Sequence, residues 1–149
     1  MSEGLFRRVG EGRVIAFGPT PLRVKAEGSE TEDAFALVEG TLPPGFPGPP
    51  KHRHPWHESV YVLSGELEFT VGDQTIRVKR GDFVHAPAGV VHTYGNHGSE
   101  PSTVIGLFSP GRFLEAIEAI GTAFPSTGGP PDVERLREIY VKWGQEIVQ

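Results

Sequence analysis

The chain has 149 residues, enough for one domain with its own core, and no cysteine, which excludes disulfides, thiolate zinc sites, iron–sulfur clusters and cysteine nucleophiles. Fourteen Lys and Arg against nineteen Asp and Glu give a formal net charge of −5, the wrong sign for a basic nucleic-acid-binding face. No apolar run approaches the ~18 residues of a membrane span and residues 1–12 lack the apolar segment of a secretory signal, so a soluble cytoplasmic protein without nucleic-acid or membrane partners is expected.

Twenty glycines and fourteen prolines imply frequent turns between short strands. Residues 1–12 show no periodicity and read as an arm. Val14-Ile15-Ala16-Phe17 is a short apolar run closed by Gly18-Pro19. Phe35 to Leu42 is another. The stretch from Pro43 to Pro50 cannot join a central strand and is expected to wrap an edge as an ordered loop. Val60 to Leu63 stops at Ser64-Gly65. Leu67, Phe69 and Val71 alternate with Glu66, Glu68 and Thr70, which buries one face and wets the other. Gly72-Asp73 is a hairpin-type turn, and Ile76 and Val78 alternate with Arg77 and Lys79 on the return. Phe83-Val84-His85 follows Gly81-Asp82 and ends at Pro87-Ala88-Gly89. Residues 90–95 and 103–108 complete the strands of a β-rich unit over 13–108.

Residues 109–149 change character. Ser109-Pro110 reads as an N-cap and first turn, with Phe113, Ile117 and Ile120 as the apolar stripe and Gly121 as the terminating glycine. Residues 122–131 form a Pro/Gly/Ser/Thr linker. Asp132 caps a second helix whose stripe is Val133, Leu136, Tyr140 and Trp143, ended by Gly144. Helices this short need a packing surface, either the sheet or a second subunit.

All six histidines lie between positions 52 and 97. His52 and His54 stand two apart on a strand and face one side. Glu58 shares their parity, but a straight strand would carry it about 13 Å from His54. Ligands of one ion lie ~3–4 Å apart. The chain must therefore bend between them, and Pro55-Trp56 is the place. A further ligand has to come from elsewhere, and His92 follows the Pro87-x-Gly89 turn.

The stretch His52-x-His54-x3-Glu58-x6-Gly65 resembles the first cupin motif. The stretch Gly81-x5-Pro87-x-Gly89-x2-His92-x3-Asn96 resembles the second, at every fixed position. The first motif usually opens on a glycine where this chain has Phe46. The likeness covers about residues 35–108. It implies an all-β fold: an antiparallel jelly-roll (double-stranded β-helix) barrel over 13–108, with two short C-terminal α-helices in 109–149 outside the likeness. It also implies one divalent metal on His52, His54, Glu58 and His92. Such a donor set suits Fe, Mn, Ni, Zn or Cu rather than Ca. Gly81 and Gly89 fit turns, Pro87 stiffens the turn presenting His92, and Asn96 bonds loop backbone.

Other residues keep two readings. His57 is a lesser alternative to Glu58, or a rim or surface residue. His85 is structural, pocket-lining or in contact with substrate. Trp56 closes a pocket mouth or packs an edge. Tyr61, Phe69, Phe83 and Tyr94 divide between pocket lining and barrel core. His97, Lys51, Arg53, Arg77, Lys79 and Arg80 read as solvated.

From Phe35 to Phe69 the wording is similar to small bacterial single-domain cupins of the quercetin-dioxygenase-like kind. That implies a metal-dependent oxidoreductase, a dioxygenase acting on a chelating hydroxy-ketone or flavonol-like substrate, with Glu58 as ligand and catalytic base. The alternatives are a non-catalytic module that binds a metal or small ligand, and a cupin isomerase or lyase. Jelly-roll edges need covering, so a homodimer is expected, with the arm or the helices crossing over. Helices that instead capped the barrel would allow a monomer.

Overall fold

The computed structural model describes residues 3–149; of the expected arm, Met1 and Ser2 lie outside the described residues. Residues 3–13 hold no strand or helix. Arg7 anchors them, donating to the Lys25 carbonyl and pairing with Glu30 at 2.7 Å.

Eleven strands follow among the described residues: β1 (Val14–Phe17), β2 (Thr20–Ala26), β3 (Ala36–Leu42), β4 (His52–Arg53), β5 (His57–Ser64), β6 (Glu66–Val71), β7 (Gln74–Lys79), β8 (Phe83–Ala86), β9 (His92–Gly95), β10 (Ser102–Ser109) and β11 (Glu146–Ile147). They form two sheets, ordered β1-β2-β3-β10-β5-β8 and β11-β4-β9-β6-β7. Every registered strand pair is antiparallel. Alternation places Ile15, Val24, Val38, Val62, Leu67 and Phe69 in the core. The all-β jelly-roll expectation is borne out.

The sequence pattern missed β2. Leu22, Val24 and Ala26 are buried, but Pro21, Arg23 and Lys25 between them conceal the strand. Ile76 and Val78 share one face of β7 as their alternation implies, but they are not equally covered. Val78 is buried, whereas Ile76 is 40% exposed on β7, the outer strand of its sheet.

The Pro/Gly loop lies across the end of β9. Phe46 bridges to Asn96, and its ring is buried against Phe17 and Phe124. Gly48 has φ +72°, and a Cβ there would lie 1.6 Å from the Tyr94 carbonyl oxygen. Only glycine tolerates that approach. Asn96 holds the loop as expected, donating to the Leu42 and Glu100 carbonyls and accepting from Gly98 N–H.

The helices are α1 (Leu114–Gly121) and α2 (Val133–Trp143). Ser109 does not cap α1. It ends β10, and its hydroxyl donates to the Ala34 carbonyl. Gly121 is the last residue of α1 rather than the residue beyond it. A Cβ there would meet the Ala16 carbonyl oxygen at 2.4 Å, so the missing side chain lets α1 approach β1. Asp132 caps α2, accepting from Arg135 N–H at 3.1 Å, and Gly144 ends it at φ +75°. The buried stripe of α2 is Leu136, Ile139 and Tyr140; Val133 is 43% exposed. The chain then returns as β11 and pairs with β4, setting Ile147 opposite His52. No helix among the described residues is long and apolar enough to cross a membrane.

Candidate metal centre

Burial alternates strictly from His52 to Glu58, with His52, His54, Trp56 and Glu58 buried and Arg53, Pro55 and His57 exposed. One parity therefore selects the inward set. His52 on β4 lies opposite His92 on β9. Strands β4 and β5 belong to different sheets, so Pro55-Trp56 carries the chain from one wall to the other. Trp56 is fully buried. It stacks on His54 at 3.9 Å and 5°, and on Phe113 at 4.7 Å. Glu58, the second residue of β5, reaches the same interior from the facing wall.

The three imidazoles crowd together. Ring centroids lie 4.4 Å apart for His52 and His92, 4.6 Å for His54 and His92, and 5.4 Å for His52 and His54. One nitrogen from each falls within 4.8 Å of the others, a group that could hold a metal ion. Each Nδ1 sits against a backbone carbonyl: His52 on Pro50 at 2.8 Å, His54 on Trp56 at 2.9 Å and His92 on Val90 at 3.0 Å. Those contacts fix the tautomer and turn each Nε2 inward. The His54 Nε2 is buried with no partner among the described residues, and the His92 Nε2 meets the Glu58 carboxylate at 2.9 Å.

Burial lowers His52 to about 3, aided by the charge on His92. Burial likewise lowers His54 to about 4 against the pull of Glu58. Burial pushes the Glu58 carboxyl up, but the His92 hydrogen bond and the neighbouring imidazoles outweigh it and hold Glu58 at about 2. Burial opposes the charge on His92, yet Glu58 raises it above the usual histidine value. Burial thus favours the neutral form at His52 and His54, while the Glu58 carboxylate favours the charged form at His92. The donor set and the orphaned nitrogen fit a divalent transition metal.

The cupin domain model matches residues 38–108, the span that carries all four side chains. Residues 38–108 are a cupin domain. The chain is 30% identical over 129 residues to a protein of Bacillus subtilis named quercetin 2,3-dioxygenase, covering 86% of this chain and 38% of the relative. It thus spans well under half of that relative's length. An uncharacterized protein with a double-stranded β-helix domain from Klebsiella pneumoniae has a TM-score of 0.56 at 28% identity, covering 73% of this chain and 92% of that one. An RmlC-like cupin from Shewanella frigidimarina superposes with a TM-score of 0.63 at 20% identity, covering 74% and 94%, and shares the fold.

Inside the cupin barrel is a cavity of about 70 Å³, lined by His52, His54, Glu58 and largely apolar side chains. Its lining extends beyond the family match. Ile117 and Ile120 come from α1, and Tyr140 from α2. Helical periodicity marked these three as packing residues; the one hint of more was a hydroxyl-bearing Tyr140 on an otherwise apolar stripe. The helices cap the barrel. Tyr94 also lines the cavity, and burial raises both phenols above their usual value, with the Glu58 charge adding to it.

The remaining candidates separate cleanly. His57 and His85 are exposed and stack on each other at 5.4 Å outside the barrel, with His85 Nδ1 at 2.7 Å from the Ser59 hydroxyl. Trp56 is core rather than pocket mouth. Phe69 is fully buried, whereas Tyr61 and Phe83 are 42% and 63% exposed and line no pocket with the histidines. His97, Lys51, Arg53, Arg77, Lys79 and Arg80 are exposed.

Proposed function

We propose that His52, His54, Glu58 and His92 hold one divalent transition metal (Fe, Mn, Ni, Zn or Cu) and that the chain is a metal-dependent oxidoreductase of the dioxygenase-like cupin kind. The reading is carried by three buried histidines whose Nδ1 atoms are committed to carbonyls while their Nε2 atoms converge. Such an ion supplies Lewis-acid chemistry and open positions for a chelating substrate.

The chain's own groups do the rest. His52 and His54 stay neutral at pH 7 and hold their lone pairs ready. His92 Nε2 and the Glu58 carboxylate, which now meet each other, would both turn to the ion, and Glu58 would also stand as the base for a substrate hydroxyl. Apolar walls from both sheets and α1 surround the cavity.

The size of the cavity supports the smaller of the expected substrates. About 70 Å³ is far below the ~300 Å³ at the lower end of drug-sized sites. A small hydroxy-ketone or hydroxy-acid fits better than a three-ring flavonol, which would require α1 and α2 to move aside. The Bacillus relative's name supports oxygen chemistry. Homodimerisation is part of the reading, supported by exposed Phe83 on β8, the last strand of its sheet, beside exposed Tyr61 on β5.

The test is elemental analysis of the purified protein, followed by oxygen-uptake measurements with hydroxy-carbonyl compounds graded in size up to a flavonol. One metal per chain with uptake on the small members is expected. Tight metal without turnover would make the chain a binding module, and protein that takes up no metal would end the reading.

A further inference from the structure

We propose that the Tyr140 hydroxyl is a hydrogen-bond donor to an oxygen of the metal-bound ligand, which makes helix α2 part of the binding site. The inference rests on the metal reading above and deepens it.

Five buried side-chain polar atoms lack a partner among the described residues: His54 Nε2, Trp56 Nε1, Tyr140 Oη and both amide atoms of Gln145. A buried hydroxyl without a partner costs about 1–3 kcal/mol. Phenylalanine would fill the same space without that cost, so packing alone does not account for a tyrosine. Its placement is telling. Tyr140 is 2% exposed, lines the same cavity as His52, His54 and Glu58, and sets its ring 5.7 Å from that of His52.

The support beneath it is rigid. Leu136 and Ile139 are buried on the same helix, Asp132 and Gly144 define its ends, and just beyond it β11 ties the chain to β4. A donor held this way suits a ligand with two oxygens close together. One oxygen reaches the metal and the other accepts from Tyr140. The small, mostly apolar cavity limits such a ligand to a few heavy atoms, as in a hydroxy-acid or hydroxy-ketone.

The probe is glycolate, titrated by visible absorption into cobalt(II)-loaded protein, for the wild type and Tyr140→Phe. Both proteins should take up cobalt equally. Glycolate should bind Tyr140→Phe roughly tenfold or more weakly, the loss expected for one hydrogen bond to a charged acceptor. The metal-free variant should melt at the same temperature as the wild type or higher, because the orphaned hydroxyl is gone. Equal glycolate affinity in two cobalt-loaded proteins overturns the inference and leaves the metal site standing. A wild type that holds cobalt but ignores glycolate, or a variant that melts lower with glycolate affinity unchanged, overturns it too. Failure of the wild type to take up cobalt overturns the metal reading and this inference together.

Discussion

Two groups of histidines lie within a few residues of each other in sequence and differ in almost every physical respect. His52, His54 and His92 are buried, engaged at Nδ1 by backbone carbonyls and crowded around one point. His57 and His85 are exposed and stack flat on each other on the outer surface. A one-residue change of parity along β5 separates Glu58 from His57. The same imidazole is a candidate ligand on one side of a sheet and a solvated surface group on the other, because burial and a fixed tautomer, rather than residue type, prepare a lone pair for a metal.

The sharpest contrast should appear in metal content. His52→Ala or His92→Ala should weaken metal binding at least ~100-fold, while His57→Ala and His85→Ala leave one ion per chain. Inductively coupled plasma analysis decides it, and full stoichiometry in His92→Ala would strike that residue from the ligand set. Aromatic residues should show a parallel split. Trp56→Ala removes a fully buried ring stacked on His54 and should cost about 3–5 kcal/mol in denaturant unfolding. Phe6→Ala, at 76% exposure and outside any strand or helix, should cost within ~0.5 kcal/mol of nothing.

Acid should also separate the groups. His52 and His54 resist protonation in the fold, at about 3 and about 4, but take up protons near 6.5 when unfolded. Their contribution is fully present above pH 6.5 and is lost as pH falls through about 4 toward 3. The loss should be roughly 1–3 kcal/mol per pH unit in metal-free protein. His92 works the other way, losing its contribution as pH rises through its raised value. Glu58, held at about 2, contributes above pH 4.5 and loses that contribution as pH drops toward 2. Urea unfolding at pH 6.5 and pH 5 reads the effect, and equal stability at both values would contradict the neutral inner pair. The smallest effect belongs to the outer stack: His57→Ala should shift unfolding by no more than ~0.5 kcal/mol.

Much of the candidate site was legible because strand periodicity is strict. His52, His54 and Glu58 share one parity, and Pro55-Trp56 is where the chain passes between sheets. Phe46, at the position of a usual motif glycine, is accommodated because Gly45 and Gly48 beside it take φ +80° and +72° while its ring turns into the core. Other features were hidden. Strand β2 was masked by Pro21, Arg23 and Lys25. Val133 was assigned to a buried stripe that in fact uses Ile139, because a helix's apolar arc does not reveal where its partner surface ends.

The sequence by itself determined which atoms could meet: alternation fixes which face each side chain takes, and turn residues fix where strands stop. Only the tertiary structure decided what closes over them. The helices after residue 109 bear an apolar stripe that many surfaces could satisfy, and its docking across the barrel mouth depends on β11 pairing with β4 and on α1 packing against β1 at Gly121. Contacts between residues so far apart in the chain leave no periodic trace along it, so the size of the cavity and the presence of Tyr140 in it follow from packing rather than from local pattern.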